Sequence, residues 1–306
     1  MSILRSFKFM FLSKGFKKGL YRLYTVWKRF GFLPEKQIDS IRYYASLLEE
    51  YGLKATFFIP AKILEKYIQC IKTIGKDSID WGIHGYIHID MSKLTVSEAR
   101  VHIAKAVEIF DKCGVTFKGF RAPYLKPGSY VPEILAESGR FLYDSSESIM
   151  WDDVYGPKQN FFNWGKEFYN PVLHSQKPSF LYGKGRMVGL PVSLPDDDIL
   201  ADKEMFNADT LLSIWKNILK ICQRNSEIFI LQLHPERIYA LSNALRNLIE
   251  EARNLDPPLW MTTLAEIANW YRVNNQTQIR WPAPFHGAFC ITGDIDSITA
   301  QDFIER

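Results

Sequence analysis

Cysteine is scarce in this chain of 306 residues, which contains only Cys70, Cys113, Cys222 and Cys290. The four are widely scattered and form no CxxC or other close pair, so nothing in the sequence indicates a disulfide framework or a cysteine-ligated metal site. Each lies in an apolar or amphipathic segment, which predicts buried free thiols. Free thiols favour a reducing compartment.

The sequence also lacks a hydrophobic run long enough to span a bilayer, an internal repeat and a low-complexity tract. Its apolar content of 47% and aromatic content of 14% are typical of an ordered globular protein.

Acidic residues are missing from residues 1–34, although the whole chain has 34 of them. This segment holds eight basic side chains, which are Arg5, Lys8, Lys14, Lys17, Lys18, Arg22, Lys28 and Arg29. Since the net charge of the whole chain is only +4, the body that follows is mildly acidic. A basic, aromatic-rich arm on an acidic body points away from nucleic-acid binding and towards a segment that docks on a surface.

The apolar residues of this arm have roughly helical spacing: Leu4, Phe7, Phe11, Leu20, Leu23, Tyr24 and Trp27. Two interpretations stay open, namely a helix lying in a membrane interface and an ordinary helix packed on the body. No signal peptide is expected, because Lys8 interrupts the short apolar stretch and no small-residue cleavage site follows it. We therefore divide the chain into an arm, 1–34, and a domain, 35–306, and expect a cytoplasmic protein, with peripheral contact to the inner face of the membrane if the arm binds lipid.

In the body of the chain, short apolar runs alternate with segments of helical periodicity. Residues 54–59, 79–83 and 228–233 are examples of the runs, and amphipathic helices are predicted between them. This alternation predicts an α/β fold with a largely parallel sheet. Residues 145–186 are irregular and rich in aromatic residues, Gly, Pro and Asn, which is typical of a long functional connection.

A pair of histidines, His84 and His88, follows the predicted strand 79–83. Two imidazoles four residues apart can converge on one cation if the residues between them form a turn. The best candidate for the carboxylate that such a site needs lies near the other end of the chain, at Asp294 and Asp296. Residues two apart on a strand point the same way, so both carboxylates can face one site.

Each of these candidates, and also Arg121 and His234, follows the carboxyl end of a predicted strand. In α/β barrels this rim carries the active site. Taken alone, each residue has an ordinary structural explanation, such as a capped surface histidine or a solvated turn. The consecutive acids Asp196, Asp197 and Asp198 are interpreted as solvated, and His102 and His174 carry no motif.

These residues resemble the motifs of the polysaccharide deacetylase family, also called the NodB-homology or carbohydrate esterase family 4 group. The matching segments are Ala55-Thr-Phe-Phe-Ile-Pro60, His84-Gly-Tyr-Ile-His88, Arg121-Ala-Pro123, Tyr143-Asp144-Ser145, Leu190-Pro191-Val192 and Leu233-His234-Pro235. The resemblance covers most of residues 38–272 in the correct order. It implies a distorted, incomplete (β/α) barrel.

The chain departs from the family at the first motif, a strand with two closely placed aspartates that normally precedes the Ala55–Pro60 strand. Here the only match is the segment from Phe289 to Asp296, after the last predicted helix. The first and last strands of a nearly closed barrel are spatial neighbours, so an appended strand can fill the missing position. We therefore interpret the domain as circularly permuted and expect the last strand between the Lys54 strand and the Trp260 strand.

The resemblance also implies a role for each candidate residue. Asp296, His84 and His88 would bind a divalent metal, most plausibly zinc from the nitrogen-rich donor set. Asp294 would be the general base, Arg121 its ion-pair partner, His234 the proton donor, and Asp144 a residue that positions Arg121. Tyr86, Tyr124 and Trp151 would stack against the sugar.

The expected function is metal-dependent removal of N-acetyl or similar acyl groups from amino sugars of a surface polysaccharide or its lipid- or nucleotide-linked precursor. The partner is then an amino-sugar or oligosaccharide substrate. A catalytically inactive carbohydrate-binding domain of the same fold is the alternative.

Overall fold

The computed structural model describes residues 24–155, 160–176, 183–184, 187–198, 207–274 and 280–306. Within this part of the chain, a long sheet of mostly parallel strands is covered by helices, and it curls into the incomplete barrel that the sequence predicts. No helix among these residues is long and apolar enough to cross a membrane.

The strands are short, as expected for parallel strands buried on both faces. In chain order they are β1 (Ala55–Ile59), β2 (Ile79–Ile83), β3 (Gly119–Phe120), β4 (Tyr143–Asp144), β5 (Ser148–Met150), β6 (Val172–Leu173), β7 (Gly183–Lys184), β8 (Met187–Gly189), β9 (Val192–Leu194), β10 (Ile228–Leu233), β11 (Trp260–Met261) and β12 (Ala288–Asp294).

The labelled helices occupy the connections between these strands. They are α1 (Glu35–Glu50), α2 (Ala61–Ile71), α3 (Val96–Cys113), α4 (Val131–Ser138), α5 (Asp152–Tyr155), α6 (Asn160–Tyr169), α7 (Ala208–Asn225), α8 (Ile238–Arg253), α9 (Leu264–Asn274) and α10 (Ala300–Ile304). Local chemistry fixes several ends. Helix α3, for example, begins at a capping box between Thr95 and Glu98 and ends at Gly114, whose φ of 63° is left-handed.

The order of strands in the large sheet is β10-β12-β1-β2-β3-β4-β8-β7. Its C-terminal strand β12 pairs in parallel with β10 along residues 288–293 and with β1 along residues 292–294. Strand β11 pairs with residues 288 and 289 and so shares one edge of β12 with β1. The prediction that the last strand lies between the Lys54 strand and the Trp260 strand is right for the Lys54 strand and wrong for the Trp260 strand, which lies on the same edge. The full-length second neighbour of β12 is β10, whereas the Trp260 strand makes only two pairs. Circular permutation as the origin of this order stays a prediction.

Residues 145–186 are more ordered than the sequence indicated. The described part of this connection contains β5, α5, α6 and β6, and a second small sheet has the order β6-β5-β9. A third strand, β9, joins it because the predicted run 188–192 divides at Leu190 and Pro191 into β8, in the large sheet, and β9, in the small one.

Part of the basic arm packs on the body. Residues 24–30 are helical, and Val26 and Phe30 are buried in a small cluster with Ala300 and Phe303 of α10. The amide of Ala300 donates to the carbonyl of Gly31 at 2.8 Å. Residues 1–23, which contain most of the predicted amphipathic pattern, lie outside the described residues.

Candidate active site

The candidate residues meet at one end of the large sheet because parallel strands end on the same side. His84 follows β2, Arg121 follows β3, His234 follows β10, and Asp294 is the last residue of β12. Each of these four side chains is at most 3% exposed. The strand register therefore brings together residues that are up to 210 positions apart in the sequence.

His84, His88 and Asp296 form the potential metal site. One ligand atom from each residue lies within 4.8 Å of the other two. The Nε2 atom of His88 is 2.9 Å from Oδ1 of Asp296, and Nε2 of His84 is 3.7 Å from the same oxygen. Two imidazole nitrogens and one carboxylate oxygen, with room for a further ligand, match the donor set of catalytic zinc sites.

A tight turn brings the two histidines together. Gly85 between them has a φ of 76°, and a Cβ at this position would lie 2.8 Å from Nε2 of His102. That same nitrogen accepts the backbone N–H of Tyr86 at 2.9 Å. His102, which carried no motif, therefore supports the turn, and burial lowers its pKa to about 4, which keeps it a neutral acceptor.

The protonation states of this trio suit cation binding. Nδ1 of His84 donates to the carbonyl of Arg121 at 2.8 Å, which leaves Nε2 as the free lone pair. Burial lowers the pKa of His88 to about 3, so this imidazole is also neutral near pH 7. Burial by itself would raise the pKa of Asp296, but His88, His84 and Arg306 hold it well below its usual value. The site thus offers Nε2 of His84, a neutral imidazole at His88 and one carboxylate.

Arg121 is a fully buried cation held by several acceptors. Its Nη1 donates to Oδ1 of Asp294 at 2.6 Å and to Oγ1 of Thr292 at 2.9 Å. The guanidinium also lies 4.2 Å from the centre of the Phe58 ring. Asp294 is held in place by this ion pair, and its other oxygen, Oδ2, is 3.9 Å from Nε2 of His84. The expected partnership of Arg121 and Asp294 is thus present in the geometry.

Asp144 does not contact Arg121, contrary to the role expected of it. Its carboxylate accepts hydrogen bonds from the backbone N–H and the hydroxyl of Ser146. The neighbouring Ser145 contacts the arginine instead, since its Oγ accepts from Nη2 at 2.9 Å and its carbonyl accepts from Nε at 3.3 Å. Burial raises the pKa of Asp144 to about 7. The motif is at the expected place, but serine makes the contact.

On the opposite side of the cleft, His234 is paired with a carboxylate that the sequence interpretation placed in solvent. Nδ1 of His234 lies 2.6 Å from Oδ1 of Asp197, and the backbone N–H of His234 donates to Oδ2 of Asp197 at 2.7 Å. Burial lowers the pKa of His234, but the charges of Asp197 and Asp198 outweigh it and raise the pKa well above its usual value. His234 is therefore an imidazolium near pH 7.

The three consecutive acids divide among different partners. Asp196 and Asp197 are completely buried; Asp196 accepts from the Tyr169 hydroxyl at 2.9 Å, and Asp198 pairs with Arg237 at 2.7 Å. The prediction that they are solvated is wrong, because β9 ends beside β10 and carries them inward. The buried apolar residues of β9 just before them were the available signal.

The three predicted sugar-stacking residues differ in accessibility. Tyr124 lines the cleft, is 37% exposed, and contacts His88 edge-on with ring centroids 4.4 Å apart. Trp151 is fully buried and stacks on His174 at 4.0 Å, so it does not present a free face to a ligand. Tyr86 is half-buried beneath Lys105 and does not line the cleft.

The cleft itself has a volume of about 260 Å³. Its lining includes the histidines and aspartates described above, the aromatic side chains of Tyr124, Phe168, Tyr169 and Phe303, and two arginines, Arg29 and Arg306. Sequence analysis missed both arginines. Their Nη2 atoms lie 3.9 and 3.5 Å from Oδ2 of Asp296, the carboxylate oxygen that faces away from the histidines. They reach the cleft only because the two ends of the described chain pack against each other.

Comparison with known proteins agrees with this geometry. Residues 39–140 match the family model described as polysaccharide deacetylase. Over these residues the chain is similar to polysaccharide deacetylases. The matched range includes β1, the histidine pair and Arg121, but it ends well before His234 and the two aspartates of the C-terminal strand.

Two curated relatives are a peptidoglycan deacetylase of Helicobacter pylori, 31% identical over 108 residues, and a peptidoglycan-N-acetylglucosamine deacetylase of Bacillus cereus, 33% identical over 78 residues. These alignments cover 35% and 25% of this chain and 36% and 28% of the relatives. The chain thus spans about a third of the length of the curated relatives it matches.

A solved structure described as a probable polysaccharide deacetylase from Pseudomonas aeruginosa superposes with a TM-score of 0.59 at 20% identity, over 78% of this chain and 74% of that one. At this identity the superposition establishes a shared fold over most of the chain. The fold prediction, an incomplete (β/α) barrel of the polysaccharide deacetylase type, is confirmed.

Proposed function

We propose that this domain hydrolyses the N-acetyl, or a similar small N-acyl, group of an amino sugar. One observation carries the proposal: a buried histidine–histidine–aspartate trio lies beside a second aspartate held by a buried arginine. A protonated histidine lies across the cleft. This combination supplies a cation site, a base and an acid around one cavity.

The metal site would be held by His84, His88 and Asp296, with zinc as the cation that best matches the donors. When bound, such an ion polarises the acyl carbonyl and lowers the pKa of a coordinated water. Nε2 of His84 faces the site because Nδ1 donates to the carbonyl of Arg121, and burial keeps His88 neutral near pH 7, so each ring can offer a nitrogen to the ion. Arg29 and Arg306 orient the remaining oxygen of Asp296.

Asp294 is the proposed general base. Its Oδ1 is occupied by Arg121, so Oδ2, which faces His84, remains to accept the proton of the attacking water. Arg121 is a positioning residue, because it acts through Asp294 and is itself fixed by Ser145 and Thr292.

His234 is the proposed proton donor to the departing amine. The reaction needs this imidazole protonated, and the raised pKa that Asp197 and Asp198 give it supplies the proton near pH 7. Asp197 also fixes the ring, because it binds both Nδ1 and the backbone N–H. Its role resembles that of the orienting carboxylate in other acid–base pairs.

The relatives' names suggest the substrate class, an N-acetylated amino sugar in a polymer or in its precursor. Tyr124 and the aromatic walls of the cleft are suited to stack on a sugar ring. We keep the cytoplasmic face of the membrane as the proposed location, with a lipid- or nucleotide-linked sugar as the substrate that such a location would offer.

The test combines metal content with acetate release from a panel of N-acetylated amino sugars. We expect Asp294→Asn to retain metal but lose on the order of 10³-fold in kcat, because the base is removed while the ligands stay. The matched control is Asp39→Asn, since the Asp39 side chain is 60% exposed and pairs with the exposed Arg42 at 3.1 Å, away from the cleft residues.

An inactive carbohydrate-binding domain predicts the opposite pattern. In that case sugar binding would persist without bound metal, and no panel member would release acetate from the wild-type protein. Either result, in protein shown to be folded by circular dichroism, would contradict the proposed function.

A further inference from the structure

The helix formed by residues 24–30 presents different side chains in three directions. Val26 and Phe30 point inward and pack on α10. Arg29 enters the active-site cleft, where Nε donates to Oε1 of Glu236 at 2.5 Å. The helix ends at Gly31, whose N–H donates to the carbonyl of Trp27 at 2.7 Å. The third direction faces solvent.

The solvent side carries a cluster that we call the aromatic patch, made of Tyr24, Trp27, Phe32 and Leu33. Their exposed fractions are 53%, 44%, 74% and 69%. The Tyr24 and Trp27 rings are 5.9 Å apart, and the Trp27 and Phe32 rings are 6.0 Å apart. Large apolar side chains clustered in this way on a surface indicate a contact with a partner or a membrane.

The composition favours a lipid surface as that partner. Tyr and Trp rings, with an apolar body and a polar edge, are suited to the boundary between lipid headgroups and acyl chains. The first 34 residues of the chain carry eight cations and no acid, so they are attracted to anionic lipid. A protein partner would need a matching acidic surface as well as an apolar one, whereas an anionic bilayer supplies both at once.

The position of the patch links it to the cleft. Tyr24 and Trp27 of the patch lie on the same short helix as Arg29, Phe32 and Leu33 directly follow that helix, and a helix with its side chains is only about 10 Å across. A bilayer that contacts the patch therefore lies about one helix width from the side of the cleft that Arg29 lines.

We propose that the aromatic patch docks on an anionic lipid bilayer and that the cleft thereby receives amino sugars anchored in that bilayer. The inference rests on the proposed deacetylase function for its second half. The substrate class that follows is an N-acetylated amino sugar linked to a membrane lipid.

The first experiment measures docking by cosedimentation of the full chain with vesicles of phosphatidylcholine, either alone or mixed with phosphatidylglycerol. We expect binding to the mixed vesicles, and a partition coefficient at least about 10-fold lower for the triple variant Trp27→Ala, Phe32→Ser and Leu33→Ser. The control is Val101→Ser with Val273→Ser, which removes apolar side chains that are 65% and 82% exposed elsewhere.

The docking half of the proposal is overturned if the triple variant sediments like the wild type. Equal binding to neutral and anionic vesicles, or no binding to either, would also overturn it. A third contradictory outcome is that the patch joins two copies of the chain. In that case the wild type would self-associate in size-exclusion chromatography, the triple variant would not, and neither protein would bind vesicles. Unchanged circular dichroism and melting temperature would show that the variants are folded.

The second experiment compares acetate release from one N-acetylated sugar presented in water and presented on a lipid anchor in anionic vesicles. We expect the triple variant to lose about 10-fold or more on the vesicle-borne sugar and to retain its rate on the soluble one. Equal rates of wild type and variant on the vesicle-borne sugar would overturn the substrate assignment. Absence of acetate from both presentations would instead contradict the proposed function, and the sedimentation result would stand by itself.

Discussion

The two sides of the cleft hold the same type of side chain in opposite charge states. His88, beside β2, is 4% exposed, and His234, after β10, is 3% exposed. Burial lowers the pKa of His88 to about 3, whereas His234 has a pKa well above its usual value. Depth in the protein therefore does not decide the charge of these imidazoles.

The neighbours account for the difference. His234 lies 2.6 Å from Asp197 and 4.0 Å from Asp198, and these carboxylates outweigh both burial and the cation of Arg237. His88 has one carboxylate, Asp296, and the charge of Arg306 opposes its effect. A neutral histidine suits a metal ligand and a charged one suits a proton donor, so this asymmetry assigns a role to each side.

The largest effect is expected at the side of the cleft that holds the neutral His88 and the metal-site carboxylate. Asp296→Asn takes away the negative ligand while the two histidines remain. We expect bound metal, measured by elemental analysis, to fall at least about 10-fold, and acetate release to fall by on the order of 10³-fold. Asp39→Asn should change neither. If Asp296→Asn kept the metal content and activity of the wild type, His84, His88 and Asp296 would not be the metal site that the reaction uses.

A smaller effect is expected on the charged side. Asp197→Asn removes the main cause of the raised His234 pKa, so the imidazole loses its proton at a lower pH. We expect kcat to fall on the order of 10²-fold at pH 8 but by less at pH 6, because the alkaline limb of the profile moves down. Measurement of kcat for the wild type and Asp197→Asn from pH 5 to 10 tests this expectation. A uniform loss at every pH would assign Asp197 only a structural role.

Asp144 gives the smallest effect and sharpens the comparison, since its burial is not offset by a close cation. Its folded-state pKa, about 7, lies above its ordinary value of 3.8, so the folded protein holds the proton more tightly. Its contribution to stability is complete below about pH 4 and is lost as pH rises through 7.

We therefore expect Asp144→Asn to raise the free energy of unfolding by up to about 4 kcal/mol at pH 8 and by less than about 2 kcal/mol at pH 5. The Asn oxygen can still accept from Ser146, so the hydrogen bonds are largely kept. Urea unfolding at the two pH values is the measurement. Destabilisation of equal size at both would show that the carboxyl is not the titrating group assumed here.

Several parts of the molecule were predictable because the signal is local. The run Ile228–Leu233 is apolar except for Gln232, which is typical of a strand buried on both faces, and the strand has these bounds. The turn between His84 and His88 needs a residue that tolerates positive φ, and the sequence has glycine there. The ends of such strands then identified His84, Arg121, His234 and Asp294 as residues of one rim.

Other features depend on contacts between distant segments, and the local sequence gives at most a weak signal for them. Asp197 is in a run of three acids that resembles a solvated turn, and only the packing of β9 beside β10 buries it against His234. Trp151 has the composition of a sugar-stacking residue, but α5 and the short helical segment at His174 close over it. In the sequence, Arg29 is one of several cations in a basic arm. Only the packing of its helix on α10 brings it into the cleft.

The sequence by itself determined most strands of the large sheet, the turn at Gly85 and most of the side chains able to do acid–base and metal chemistry, because periodicity and backbone preference act over a few residues. The tertiary structure decided which of these side chains meet and in which charge state. Asp296 joins His84 and His88 only through the parallel pairing of β12 with β1, and His234 is charged only because a separate strand delivers Asp197 to it. Charge in a buried site is set by what lies within a few ångströms, and chain order does not reveal that.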